Sequence, residues 1–341
     1  AAQKSSPIII GPYSSEALRG VKDFADSHGL ILLSPGSTAV SLSIANDSIY
    51  RLVLDDAKQA AALARYMAEE AIQTVIPVWI DNEYGNSYHS ALIQEMKNAG
   101  KTISDGISYP PGQTNFTETL LAIDQQIHAA MQNQAPHSIG VVLIGYDEGI
   151  GLLASAEEQS RLAQVRWFGS DSYAYSTAIQ DNPQAWAFAL QTQFTAAYFA
   201  PEQDLYVWSI ARGRLVKSYF ENFLTRFQQD YQARPGNFTY TTYDAAWLTA
   251  MTNFQISPTD TLDTVKRIMS STFNLSPGYN ERNQFSPTGD KAYGTIGFAH
   301  VTEVRGWDTP AAYHFSSDLP SWLEYYNTQP TSTAGGWELY P

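Results

Sequence analysis

Apolar residues follow two alternating rhythms from near the N-terminus to about residue 170. Short, nearly continuous apolar runs at 8–10, 30–33, 49–54, 74–80, 103–109, 137–145 and 164–169 have the length expected of strands buried on both faces. Between them lie helix-like stretches at 16–28, 55–71, 86–99, 116–131 and 148–158. In the second, Leu63, Met67 and Ala71 share one face; in the third, Tyr88, Leu92 and Met96 recur every fourth residue. This repeated βαβ pattern predicts parallel sheets covered by helices on both sides. After Phe199 the rhythm changes. Leu215, Tyr219, Phe223, Phe227 and Tyr231 form the apolar stripe of a long helix, closed by Arg234-Pro235-Gly236. Two more helices are expected at 242–252 and 260–271, and antiparallel strands within 291–304. From about residue 306 the chain is rich in Pro, Ser, Thr and Trp and reads as a surface tail or wrapped extension.

The chain of 341 residues is 44% hydrophobic and 16% charged, enough for two domains with substantial cores. It contains no apolar run long enough to span a membrane. A net charge of −14 argues against nucleic acid or an anionic membrane as partner, since both need basic patches. Without cysteine there are no disulfides, thiolate metal sites or cysteine nucleophiles. The six histidines show no H-x-x-x-H spacing, so no metal is expected. Phosphate-binding glycine loops and the G-x-S-x-G elbow are also missing, so neither a cofactor nor an enzyme is expected. Asp81, Glu83, Asp147, Glu148 and Asp171 offer carboxylates, and a hydrolase using a pair such as Asp147 and Asp171 is the enzymatic alternative.

The candidate chemistry gathers where the predicted strands end. Tyr13-Ser14-Ser15, Pro35-Gly36-Ser37-Thr38, Asp81-Asn82-Glu83-Tyr84-Gly85, Gly145-Tyr146-Asp147-Glu148 and Gly169-Ser170-Asp171-Ser172 each follow a strand at its carboxyl end. In open α/β sheets ligands bind at that edge. Hydroxyl and amide donors, an acid and two tyrosines together suit a small zwitterion such as an amino acid. Plainer roles fit the same residues. Ser14, Ser15, Ser37 and Thr38 can cap helices, Tyr84-Gly85 can form a turn and core anchor, Tyr146 can be a core tyrosine, and Asp171 can be an N-cap.

Taken in order, I-I-G-P-Y-S-S, G-L-I-L-L-S-P-G-S-T-A, Y-R-L-V-L-D-D, D-N-E-Y-G, I-G-Y-D-E-G, F-G-S-D-S and F-S-P-T-G-D-K-A-Y-G give the chain a familiar outline. From about Pro7 to Val304 it resembles the type I periplasmic, or extracellular, solute-binding proteins of the branched-chain amino acid ABC transport group. The resemblance implies an α/β fold of two Rossmann-like lobes with parallel sheets, joined by a multi-strand hinge and closing on a ligand. It implies lobe I at 1–54 and 200–282, and lobe II at 55–199 and 283–341, with the C-terminal extension attached to lobe II. The hinge would lie near Leu54, Phe199 and Asn283. By the same resemblance Ser15 and Thr38 donate to a ligand carboxylate, the Gly36 carbonyl and Asp171 receive its ammonium, and Tyr84 and Tyr146 close over it. Tyr13, Ser14 and Ser37 flank these positions. The implied setting is periplasmic or extracellular, with a small-molecule ligand and a membrane permease as partners; a ligand-sensing receptor ectodomain is the alternative. Family members begin with a further βαβα segment ahead of I-I-G-P, so residues upstream of Ala1 are expected to complete lobe I. Tyr13, Tyr84, Tyr146, Tyr173 and Tyr175 near the cleft suggest an apolar, aromatic or amide-bearing solute.

Overall fold

The structure is a computed structural model that describes residues 6–156, 161–200, 214–232, 235–275, 283–303, 306–315 and 324–326. Among these residues the strands form two sheets. The chain opens with β1 (Ile8–Ile10), α1 (Ser15–His28), β2 (Ile31–Ser34) and β3 (Ile49–Arg51), and the three strands pair in parallel in that order. Helix α1 starts where the Ser14 hydroxyl accepts from Ala17 N at 3.3 Å, and it stops at Gly29 in the left-handed region.

From β3 the chain passes directly into the second layer. It continues through α2 (Asp56–Glu69), β4 (Thr74–Ile80), α3 (Glu83–Asn98), β5 (Thr102–Ile103) and β6 (Ile107–Tyr109). Next come α4 (Thr117–Met131), β7 (Ile139–Ile144), α5 (Glu148–Ala156), β8 (Arg166–Gly169), α6 (Thr177–Asp181), α7 (Pro183–Gln191) and β9 (Thr195–Ala200). Helices α8 (Arg214–Tyr231), α9 (Asn237–Gln255) and α10 (Leu262–Leu275) follow, then β10 (Gly294–Thr302), β11 (Gly306–Phe315) and β12 (Glu324–Tyr326). The second sheet runs β12-β11-β10-β9-β8-β7-β4-β5, with β6 also against β4. Its pairings from β4 to β9 are parallel and those from β9 to β12 antiparallel.

Each sheet has its own core. Ile8, Ile31, Leu33 and Leu52 pack with Ala245 and Leu248 of α9, Val265, Met269 and Phe273 of α10, and Phe285. Thus the helices made late in the chain return to cover the first sheet. A far larger core surrounds β4, β7 and β8, where Val75, Ile76, Val141, Leu143 and Phe168 are fully buried. Arg51 is also buried, yet each of its three nitrogens is engaged: Nε donates to Asp290 Oδ1, Nη1 to the Ala39 carbonyl and Nη2 to Ser43 Oγ, each at 2.6 Å. A buried charge is tolerated when it is paired with a counter-charge and hydrogen-bonded in this way.

Two predicted elements differ from what is observed. The single strand expected at 103–109 is broken into β5 and β6. Gly106 between them has φ +69°, and a Cβ there would lie 2.4 Å from the Pro77 carbonyl, so the backbone turns where no other residue fits. The stretch expected to be a tail supplies β11 and β12; Tyr313 is fully buried, meets Phe298 edge-on and donates its hydroxyl to Glu69 at 2.8 Å. Residues 316–323 and 327–341 of that stretch lie outside the described residues.

Candidate functional site

The loops after β1 and β2 are built from short side-chain-to-backbone hydrogen bonds. Ser34 Oγ donates to the Pro12 carbonyl at 2.6 Å and accepts from Ser37 N at 3.1 Å, which ties the two loops together. Ser15 Oγ lies 2.9 Å from Ser37 Oγ and accepts from Ala39 N at 3.4 Å. Arg51 holds the Ala39 carbonyl from behind, and the Thr38 carbonyl accepts from Asp56 N at 2.9 Å. Ser15, Ser37 and Thr38 are buried, whereas Ser14 caps α1. The result is a fixed patch of hydroxyls at the carboxyl edge of the first sheet, of the kind that receives a small anion.

Across from this patch stand groups carried by the second sheet. Asp171 follows β8 and is 4% exposed. Its Oδ1 accepts from Tyr84 OH at 2.7 Å, and its amide donates to Gln59 Oε1 at 3.0 Å. Burial raises its pKa above the usual aspartate value, while the hydrogen bond from Tyr84 pulls it back down. Burial and the charge of Asp171 push the Tyr84 phenol well up, so it remains a proton donor. Tyr146 stacks on Tyr84 with ring centres 5.2 Å apart. Glu148 fixes the loop that carries Tyr146, accepting from Tyr146 N at 2.9 Å and from Tyr109 OH at 3.1 Å.

Ser15, Thr38, Tyr84 and Asp171 line one cleft of about 240 Å³, its open mouth included. Tyr13, Ser14, Gly36 and Tyr146 complete the part anticipated from sequence, and Ser172 and Phe238 join them. Ser37 stands behind the wall with its hydroxyl on Ser15. A set of contacts clasps the rim. At the start of α3, Glu83 accepts from Arg19 at 2.8 Å and from the Ser41 hydroxyl. Ser87 Oγ accepts from Val40 N at 2.8 Å, and Glu16 accepts from Tyr84 N at 3.3 Å.

The profile of the receptor family ligand-binding region matches residues 3–282. The chain belongs to this family. Solved structures agree in fold. An ABC transporter substrate-binding protein from Desulfitobacterium hafniense in complex with Leu is 20% identical, with a TM-score of 0.65 over 89% of this chain and 80% of its own. A leucine binding protein from Thermotoga maritima is 17% identical, with a TM-score of 0.69 over 89% and 79%. An uncharacterized protein of Methanocaldococcus jannaschii is 23% identical over 334 residues, covering 92% of this chain and 74% of that protein. The fold is the type I periplasmic binding fold.

In this receptor-family chain some groups near the cleft escaped the sequence reading. Asp56 is fully buried, and its carboxyl oxygens have no hydrogen-bond partner among the described residues. Burial and the Asp171 charge push it well above the ordinary aspartate range; the nearby Thr38 hydroxyl and Arg51 only partly offset this. Gln59 Nε2, Tyr88 OH and Ser170 Oγ are likewise buried without a partner among the described residues. The doubled Asp55-Asp56 at the start of α2 was the available signal: Asp55 caps the helix, accepting from Lys58 N at 3.0 Å, which leaves Asp56 for another task. Nothing in the local sequence marks Phe238, which comes from the far end of the chain. Tyr173 and Tyr175, expected near the cleft, do not line it. Tyr173 is sealed in the large core beside Phe194, and Tyr175 packs edge-on to Tyr198 and near Trp307.

Proposed function

We propose that this protein is an extracytoplasmic solute-binding protein that captures an amino acid or a similar small zwitterion and delivers it to the membrane permease of an ABC importer. One observation carries the reading: hydroxyls of Ser15 and Thr38 from the first sheet and the Asp171–Tyr84 pair from the second line a single cleft. The first set suits a carboxylate and the second an ammonium. The Gly36 carbonyl is the further acceptor assigned to the ammonium, and Tyr146 is the cover. Lobe I then comprises 1–54 and 200–282, lobe II comprises 55–199 and 283–341, and the crossings near Leu54, Phe199 and Asn283 are the hinge. Ligand shifts the molecule toward the closed form because only that form lets both lobes touch it. The solved relatives named with leucine add support as proteins of like fold.

The test is a thermal-shift screen of the twenty amino acids, with the bound solute recovered and identified by mass spectrometry. An unchanged solute supports capture, and turnover overturns it. Asp171→Ala is expected to weaken binding about 100-fold, the size of a charge-assisted hydrogen bond of ~2–3 kcal/mol. Unaltered affinity by calorimetry removes Asp171 from the site.

A further inference from the structure

Charge in and around the cleft is one-sided. Asp171 lines it, and no lysine, arginine or histidine stands among the described residues that do. Two more carboxylates flank the mouth. Glu16 accepts from Tyr84 N at 3.3 Å, and Asp147 directly follows the lining residue Tyr146 at an exposed position. Neither forms an ion pair among the described residues. Their charges reach the cleft. After burial, those of Asp171 and Asp147 push the Tyr13 phenol up, and those of Glu16, Asp171 and Asp56 do the same to Tyr146. Behind the floor, Asp56 faces Thr38 and Asp171, fully buried, with both carboxyl oxygens unpartnered among the described residues. Two basic groups stand close by, and both are committed to acids of their own. Arg51 pairs with Asp290 at 2.6 Å and Arg19 with Glu83 at 2.8 Å.

An α-ammonium balances one of these acids. The others favour a further positive charge on the solute. The rings agree with that. Tyr13, half-exposed at the mouth, and Tyr146 and Phe238 beside it take the methylene stem of a long cationic side chain as readily as an apolar one, and a cation near a ring face is attracted besides. Asp56 points the same way. A buried carboxyl without a hydrogen-bond partner is most costly when ionised, and a cation held nearby relieves that cost. We propose that the cleft selects amino acids whose side chain carries a second positive charge, an ammonium or a guanidinium, received at the mouth by Asp147 and Glu16. This rests on the solute-binding reading above and adds the substrate class to it. Ser15, Thr38 and Asp171 keep the α-carboxylate and α-ammonium, so the discrimination lies at the other end of the ligand.

The experiment is calorimetric titration of the full chain with L-lysine, L-arginine, L-norleucine and L-glutamate, at about 0.02 M and about 0.5 M salt. Norleucine is lysine without its side-chain ammonium, so that pair reads the charge at nearly constant shape. The parent, Asp147→Asn and Glu16→Gln are compared, each first shown by circular dichroism to melt cooperatively. In the parent at low salt, lysine or arginine is expected to bind at least about 10-fold more tightly than norleucine, with glutamate the weakest. That preference is expected to fall about three-fold or more at the higher salt, and by a similar factor in each variant. Norleucine or glutamate bound by the parent as tightly as lysine and arginine overturns the proposal and leaves the solute-binding reading standing. So does a lysine-to-norleucine ratio that neither salt nor either variant moves. Binding of none of the four overturns the proposal; with no melting shift from any of the twenty amino acids as well, the solute-binding reading falls with it.

Discussion

Asp56 shows how one residue can hold a cost that the fold accepts. Its carboxyl is buried beside Asp171 with its oxygens unpartnered. In the unfolded chain it ionises at the ordinary aspartate value, whereas in the folded protein it does so well above that. Below the ordinary range both states are protonated and the charge-linked part of the cost vanishes. As pH rises through the raised folded value the penalty becomes complete. Asp56→Asn is therefore expected to melt higher than the parent at about pH 8, by roughly 1–3 kcal/mol or several degrees, and to match it at about pH 3. Equal melting at both pH values places the charge of Asp56 outside the stability balance. Ser15, Thr38 and Asp171 were legible in the sequence because small polar residues just after an apolar run announce a strand's carboxyl edge. Asp56 was not, because its direction depends on which of two adjacent acids caps α2. Phe238 was not, because its place depends on how a distant helix docks.

Among the elements, α3 joins the two halves of the site most directly. Its first turn presents Tyr84 to Asp171 and at the same time takes Arg19, Ser41, Val40 and Glu16 from the first sheet's side through Glu83, Ser87 and Tyr84 N. None of these rim contacts needs a ligand; on the proposed hinge-closing reading they would hold the two halves of the site together on their own account. Arg19 is partly exposed, and an ion pair so placed is worth ~0.2–1 kcal/mol and is screened by salt. Arg19→Ala and Glu83→Gln are each expected to speed ligand release two- to five-fold in stopped-flow measurements, leave the order of preferred solutes unchanged, and lose their effect in 1 M salt. A changed solute order would place the pair in the ligand's own shell. Helices and strands up to β8 could be read from their two rhythms. The break at Gly106 could not, since only the approach of the Pro77 carbonyl demands it. Residues 306–315 were obscured because their Pro, Thr and Trp mimic surface sequence, whereas in the fold they pair along β10.

For the molecule as a whole, the decisive bond is the one from Arg51 to Asp290. It pins the loop that carries Thr38 to the turn before β10, and Thr288 adds a hydroxyl to the same carboxylate at 2.7 Å. Asp290→Ala leaves a buried guanidinium without its counter-charge. The expected loss is about 3–5 kcal/mol, read as a lower urea midpoint at unchanged slope. A midpoint within error of the parent would mean that the pair carries no net stability. The two partners stand 239 residues apart in the chain, and the strands of the first sheet are roofed by helices that come nearly as late. On the ribosome, then, β1 to β3 emerge early and wait with an apolar face bare until α9, α10 and Asp290 have been made. Completion of the first sheet thus depends on contacts of long sequence separation, which slow folding.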